Sequence, residues 1–436
     1  MASRRADRYV PVERIEVWLW GHFVGAAALD PTLGFYVFAY DRDFAKTGLQ
    51  PAPLQMPVAD DERPFVFPTL PVDTYRRLPA MLADALPDDF GYALIDRWLA
   101  ERGVAREQIT ALDRLAYMGR RSMGALEFKP QRGPQTRKAT AIELGELVGV
   151  ARQALRGSWD DADATAATLR SIIEVGTSAG GARAKAVVAW NPATQELRSG
   201  QLDAPPGFEH WLLKFDGVGQ DRELGSTQDH GRIEFAYHRM ARAAGLRMTD
   251  CRLLEENGRA HFMTKRFDRD GASDRHHVQT LCGMAHLDFR RRGANSYAQL
   301  FLAMRQLGLP REDLLEAFRR MAFAVMSRNC DDHTKNTSFL LPRGKTWRLA
   351  PAYDVTFAHN PRGEWTNQHL MSVNGRFRDI SADDLLAEAD RFGLGEARTI
   401  LAQVRDALAQ WRDHAHAAGV AAAEIDRIAA LHRPLG

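Results

Sequence analysis

Asp331 and Asn336 stand five residues apart in the stretch Asn329-Cys-Asp-Asp-His-Thr-Lys-Asn336, and Asp354 follows in Pro351-Ala-Tyr-Asp354. These residue types in this order are the parts a phosphoryl-transfer site uses. One carboxylate takes the proton of an attacking hydroxyl, while an amide and a second carboxylate hold divalent metal against the phosphates. The transition state asks for little beyond placed charges, so one base and two metal ligands carry much of the signal. A polar loop between the apolar runs 322–326 and 337–341 would look the same in isolation. The other parts of such a site must therefore be sought elsewhere in the chain.

Glu209-His-Trp-Leu-Leu-Lys-Phe215 reads as a strand with Lys214 among apolar neighbours. A lysine there is costly unless it serves a purpose, and holding α- and β-phosphates while paired with a helix glutamate is such a purpose. Glu234 follows twenty residues later in an amphipathic run, 233–245, that Gly245 stops. Taken singly, Lys214 is equally an edge-strand lysine that reaches solvent, and Glu234 a helix-surface charge. Upstream lies Gly176-Thr-Ser-Ala-Gly-Gly-Ala-Arg-Ala-Lys185, then an apolar strand, 186–190. Small residues let backbone N–H groups approach phosphate oxygens, and Lys185 adds charge. No Gly-Lys-Ser/Thr closes this loop, so it is not a Walker A loop, and a plain hairpin fits it as well. The strand of residues 261–265 then runs into the turn Arg266-Phe-Asp-Arg269.

These parts need a sheet ahead of a helical half, and the pattern provides it. Residues 8–130 read as one α+β unit, with a strand alternating at Ile15, Val17 and Leu19, a second strand over 34–40, and helices over 76–85 and 90–100. Asp88-Asp89 suits a helix N-terminus, and Trp18 and Trp20 share a strand face as packing residues. A Pro/Gly/basic linker covers 129–138, and amphipathic helices are expected over 141–155 and 160–173. From about 276 the pattern is helical: 296–307, 311–327, 382–392, 397–417 and 422–431. His276-His277 and His286-Leu-Asp288 are weak metal candidates without partner spacing. Arg290-Arg-Arg292 is either a solvated turn or a phosphate contact.

Composition narrows the class. The 436 residues carry a net charge of +2 with 45% hydrophobic and 26% charged residues, ordinary for a globular protein and no sign of a nucleic-acid binder. Only eight of the 58 basic residues are lysine, which adds weight to a lysine inside a motif. Three cysteines share no metal-ligand spacing, and their odd number argues against a disulfide framework. No apolar run reaches the length of a membrane span and the N-terminus lacks a signal-peptide core, so a cytoplasmic protein is expected.

The chain resembles the HipA-type serine/threonine kinases, toxins of bacterial toxin–antitoxin pairs, over nearly its full length. The resemblance rests on Leu115-Ala-Tyr-Met-Gly-Arg-Arg-Ser-Met-Gly-Ala-Leu126 and on the stretches at 178–185, 211–215, 265–269, 329–336 and 351–354. It implies an α+β, protein-kinase-like two-lobe fold: an N-terminal α+β subdomain (1–130), an N-lobe (131–275) and a helical C-lobe (276–436). It further implies Asp331 as catalytic base and Asn336 and Asp354 as Mg²⁺ ligands. ATP would be held by Gly180, Gly181, Ala182, Arg183, Ala184 and Lys185 of the phosphate loop and by Lys214 paired with Glu234. The backbone of Lys265, Arg266 and Phe267 would meet the adenine, and His333, Lys335 and Tyr353 would line the nucleotide site. Ser178, or Thr177 beside it, falls where family members autophosphorylate and silence themselves. The implied partners are an aminoacyl-tRNA synthetase as substrate and a DNA-binding, HipB-like antitoxin that carries the protein to operator DNA, with no membrane. Lys265 departs from an acidic residue of the family, and 278–285 matches only loosely. A catalytically silent co-repressor and a small-molecule phosphotransferase are the alternatives.

Overall fold

The computed structural model describes residues 9–59, 63–87, 89–134, 148, 184–200, 203–217, 229–271 and 273–435. Apart from Val148, the helices expected at 141–155 and 160–173 lie outside the described residues, as do Thr177, Ser178, Gly180, Gly181, Ala182 and Arg183.

The N-terminal unit is built on an antiparallel sheet of β1 (Arg14–Leu19), β2 (His22–Asp30), β3 (Phe35–Tyr40) and β4 (Leu126–Lys129), in the order β3-β2-β1-β4. Ile15, Val17 and Leu19 all point into its core, as their alternation predicts. The sequence reading passed over β2, whose Gly25-Ala-Ala-Ala28 run has none of the β-branched residues that mark strands. Gly25 is required there: a Cβ would fall 2.1 Å from the Ala39 carbonyl oxygen. The helix expected over 76–85 does not form. The chain makes two short helical turns, Val72–Tyr75 and Ala80–Ala83, split by Arg76 and Arg77 at positive φ and by Pro79. Proline disfavours helical backbone at the residue before it and removes a helix donor. Trp20 has left the strand, at φ +51, and its indole Nε1 donates to the Arg275 carbonyl at 2.7 Å.

A second sheet comprises β5 (Lys185–Trp190), β6 (Leu197–Ser199), β7 (Glu209–Lys214), β8 (Cys251–Glu256) and β9 (Arg259–Lys265), in the antiparallel order β6-β5-β7-β9-β8. One long helix of this lobe, His230–Ala243, packs on β8 and β9. It begins so close to the sheet that a Cβ on Gly231 would lie 2.0 Å from the Ala260 carbonyl oxygen.

The helical half is held by one large core that includes Phe301, Phe318, Met321, Phe323 and Trp411. Its helices are Tyr297–Gln306, Arg311–Ser327, Ala382–Arg391, Ala397–Ala409, Trp411–Ala417 and Ala422–Leu431. The single helix expected over 397–417 is broken at Gln410, and the break turns Trp411 inward, where its Nε1 donates to the Ile425 carbonyl at 3.0 Å. No helix among the described residues is long and apolar enough to cross a membrane.

The N-terminal unit is locked to the rest by buried charge. Asp268 takes both Nε and Nη2 of Arg266 (2.9 and 2.8 Å), Nη1 of Arg269 (2.7 Å) and the Gly124 backbone N–H (2.7 Å). Arg275 Nη2 adds a bond to the Gly124 carbonyl at 2.9 Å. Burial would raise the Asp268 carboxyl, but Arg266 and Arg269 outweigh it and hold the group ionised. The Gly-Ala-Leu and Arg-Phe-Asp-Arg stretches are thus two halves of one junction. The metal-candidate histidines are structural. His276 pairs with Asp270 at 2.7 Å, and buried His277 donates to the Pro51 carbonyl, burial drawing its pKa down to about 4. His286 rests edge-on against Phe67, its pKa also lowered to about 4 by burial. A sheet-rich lobe with one long helix, followed by a helical lobe, is a mixed α+β, kinase-like two-lobe fold.

Candidate active site

β7 ends on Lys214 and its antiparallel partner β5 begins on Lys185, so the two lysines are direct cross-strand neighbours, and both are buried. The Lys214 ammonium donates to Glu234 on the His230–Ala243 helix and to Asp354 beyond the helical lobe's loop. Burial alone would lower the Lys214 pKa, but Asp354 and Glu234 more than reverse this and raise it. Burial likewise pushes Asp354 up, while Lys214 and then Lys185 hold it well below the usual carboxylate range. Asp354 sits at φ +53, a left-handed conformation that Asp tolerates better than most residues.

The segment 329–336 hangs from the end of the Arg311–Ser327 helix, which stops at Arg328 in left-handed conformation. Cys330 N–H donates to the Ala358 carbonyl at 2.9 Å and Thr334 Oγ1 to the Leu287 carbonyl at 2.7 Å. Asn336 Nδ2 donates back to the Asp331 carbonyl at 2.7 Å, closing the loop so that both residues are fixed by one bond. The Tyr353 hydroxyl donates to the Lys335 carbonyl at 2.5 Å and lies 2.6 Å from Ser338 Oγ. The Asp331 side chain remains half-exposed, with His333 Nε2 3.9 Å from its Oδ1. Asn336, Asp354, His333 and Tyr353 line one small cavity of about 50 Å³.

Of the other expected residues, Ala184 and Lys185 stand at the start of β5, the first fully buried. At the end of β9, the Lys265 N–H donates to the Asp250 carbonyl and the Arg266 N–H to the His210 carbonyl, both at 2.9 Å. The Lys265 ammonium pairs with Glu209 at 2.6 Å, and the Arg266 side chain turns inward to Asp268. Phe267 faces Tyr353, ring centroids 5.7 Å apart.

Sequence reasoning missed the groups behind the loop. Buried Asp332 accepts from the Tyr297 hydroxyl (2.9 Å), the Leu370 N–H (2.8 Å) and His369 Nδ1 (2.9 Å). His369 Nε2 in turn faces Cys330 Sγ at 3.8 Å, and His359 Nδ1 approaches the same sulfur at 3.7 Å. Burial opposes the charge on His369, but Asp332 and Cys330 raise its pKa to about 10. Burial raises Cys330, yet His369 and His359 bring it down to about 7. His369 lies 37 residues from Asp332, and no spacing rule marks it.

Comparisons with known proteins identify the family. Residues 177–411 match the HipA-like C-terminal domain and residues 15–129 the HipA N-terminal domain. No curated protein matches the chain. Among solved structures, HipA of the Shewanella oneidensis MR-1 toxin–antitoxin system, in complex with HipB and its operator DNA, superposes with a TM-score of 0.67 at 16% identity. That likeness covers 96% of this chain and 94% of the other. The Helicobacter pylori proinflammatory kinase CtkA gives a TM-score of 0.32 at 10% identity over 51% of this chain and 88% of its own, too remote to argue from. With more than half of its length inside the C-terminal domain match, this chain belongs to the HipA-like family.

Proposed function

We propose that this protein is an Mg²⁺/ATP-dependent serine/threonine protein kinase that acts as a growth-inhibiting toxin. The observation that carries the reading is the shared ammonium of Lys214. It joins Glu234 and Asp354, so that three separate parts of the chain meet there, beside the loop bearing Asp331 and Asn336. Two lysines, an aspartate on the neighbouring loop and two oxygen donors would supply the charges phosphoryl transfer needs.

In this reading Asp331 accepts the proton of the acceptor hydroxyl, its half-exposed side chain being open to a protein substrate. Lys214 carries positive charge toward the α/β-phosphates, and Glu234 keeps it oriented. Asn336 and Asp354 fit Mg²⁺: the Asn336 amide spends its Nδ2 on the Asp331 carbonyl, leaving Oδ1 as a hard oxygen donor beside the Asp354 carboxylate. Bound there, the metal supplies neutralisation of charge on the transferred group. His333, Lys335 and Tyr353 shape the wall of the site, and the backbone near Phe267 meets the base. Gly180–Lys185 cover the phosphates, with Ser178 or Thr177 as the self-silencing acceptor.

The family membership supports a toxin role, and the HipB and operator DNA bound to the Shewanella HipA support a DNA-binding antitoxin as partner, with DNA reached mainly through it. An aminoacyl-tRNA synthetase is the proposed trans substrate. The test is intact-mass and peptide mass spectrometry after incubation with Mg-ATP, wild type beside Asp331→Asn. Phosphate at Ser178 or Thr177 in wild type alone supports the whole reading. No phosphate in either form, with lysate proteins also unlabelled, overturns it.

A further inference from the structure

Arg292 and Arg378 both donate through Nη2 to a single atom, Oδ1 of Asn367, at 2.9 and 3.1 Å. Two guanidinium groups that share one acceptor stand close together, and like charges held side by side raise each other's energy. Among the described residues no carboxylate lies within ion-pair distance of either group. Arg292 Nε is moreover buried and lacks a hydrogen-bond partner. A converged guanidinium pair with an unused buried N–H is a fork built for carboxylate or phosphate oxygens. Exposed Arg291, next in chain, adds positive charge.

The pair is fixed to the candidate catalytic loop from two sides. On one side the Leu287 carbonyl accepts from Thr334 Oγ1 at 2.7 Å, and the Phe289 ring packs 5.4 Å from His333 with the Lys335 ammonium 4.8 Å above it. Asp288 stiffens that segment, its Oδ1 accepting from the Arg290 N–H at 2.9 Å and from Thr74 Oγ1 at 2.5 Å. On the other side, Asn367 precedes His369, whose ring holds Asp332. The guanidinium pair therefore keeps a set position relative to Asp331.

We propose that Arg292 and Arg378, aided by Arg291, form an anion subsite that takes an aspartate or glutamate side chain of the acceptor protein near the serine or threonine to be phosphorylated. This rests on the kinase reading above and adds a substrate class to it: acceptor sites flanked by acidic residues. Phosphate of a nucleic acid offers the same oxygens, so the test must separate the two sources.

Full-length wild type, Arg291→Glu and the double variant Arg292→Glu/Arg378→Glu are given a library of serine/threonine peptides in which one acidic or one basic residue is scanned along each position. Wild type should favour Asp or Glu at one fixed offset by about tenfold, a typical size for a charge-assisted contact. The double variant should reverse the preference to Lys or Arg, and Arg291→Glu, at an exposed position, should weaken it. No acidic preference in wild type, or the same preference in the double variant, overturns the proposal. A second arm uses Asp331→Asn protein and needs no catalysis: fluorescence anisotropy with a labelled Glu-rich peptide and with a short single-stranded oligonucleotide. Peptide binding that the Arg292→Glu/Arg378→Glu changes weaken about tenfold supports the subsite even if no transfer is seen, in which case the kinase reading alone fails. Arginine-dependent binding of the oligonucleotide but not of the peptide assigns the fork to nucleic acid and overturns it.

Discussion

Lys185 lies directly across the ladder from Lys214, so two buried ammonium groups share one face of the sheet. Such a pair is tolerable only because carboxylates face it, and Asp354 is the one whose charge both lysines stabilise. Asp354→Asn keeps the left-handed backbone, which Asn also adopts, and removes only the charge. It should cost about 2 kcal/mol, less than a fully buried pair would because the carboxylate is partly open to solvent. Since the Asp354 pKa is depressed, its contribution is complete above the ordinary carboxylate range and is lost only as the pH falls toward its lowered value. Urea unfolding at pH 5 to 8 should show a constant gap between the two proteins. A gap that closes by pH 5 would mean that Asp354 is not held ionised by the lysines.

Asp331 differs in that its side chain is half-exposed. Asp331→Asn should lower the rate of phosphoryl transfer by about 10²–10⁴, the range for losing a general base. Stability should stay within about 0.5 kcal/mol of wild type, as for other exposed changes. Rates by radiolabelled ATP and a urea curve on the same preparation check both halves. Transfer at the wild-type rate would remove Asp331 from the mechanism.

The proposed site residues could be named from type and spacing alone: Asp331, Asn336 and Asp354 along one segment, Lys214 and Glu234 on a strand and a helix. The strands β5, β7 and β9 and the helices at 311–327 and 422–431 followed from the apolar pattern. Three things were not readable. The Ala-rich β2 has no strand signature, so only its pairing with β1 and β3 defines it. The 76–85 run has helical apolar spacing, but the backbone at Arg76, Arg77 and Pro79 overrides it. The support behind the loop, Tyr297, His369 and Cys330 around Asp332, joins residues far apart in sequence, and contact across such distances leaves no local pattern.

Gly231 shows how a small residue positions a distant charge. The first turn of the His230–Ala243 helix rests on the Ala260 carbonyl, and Gly231→Ala must push the two apart, since backbone cannot move as a side chain would. Overpacking of this kind costs about 1–3 kcal/mol, and it should draw Glu234 away from Lys214. Transfer activity should fall with KM for ATP rising. Gly395→Ala, where a Cβ meets nothing within 4 Å, is the control and should leave both unchanged. Equal activity for Gly231→Ala and Gly395→Ala would show that the helix position is not critical.

Cys330 and His369 should cancel each other's pH dependence. The His369 pKa is raised to about 10, so its stabilisation is complete below about pH 6.5, the unfolded value, and drains away as the pH climbs toward 10. Cys330 is lowered to about 7 and acts in the opposite sense, contributing fully above the ordinary thiol value and losing this as the pH falls toward 7. Between about pH 7 and 9 the folded protein holds imidazolium and thiolate, whereas the unfolded chain holds imidazole and thiol. Each state keeps one proton on the pair, so the pair adds no slope in that window. Cys330→Ser removes the thiolate and leaves His369⁺ with Asp332 alone. Relative to wild type, stability of the variant should then decline between about pH 7 and 9 by up to about 1.4 kcal/mol per unit. Urea midpoints at pH 6, 7, 8 and 9 test this, because parallel profiles for the two proteins would mean that His369 and Cys330 are not an ion pair. His369→Asn should do more, leaving buried Asp332 without its cation, and a loss of about 3 kcal/mol with a lowered kcat would follow from a loosened Asp331 loop.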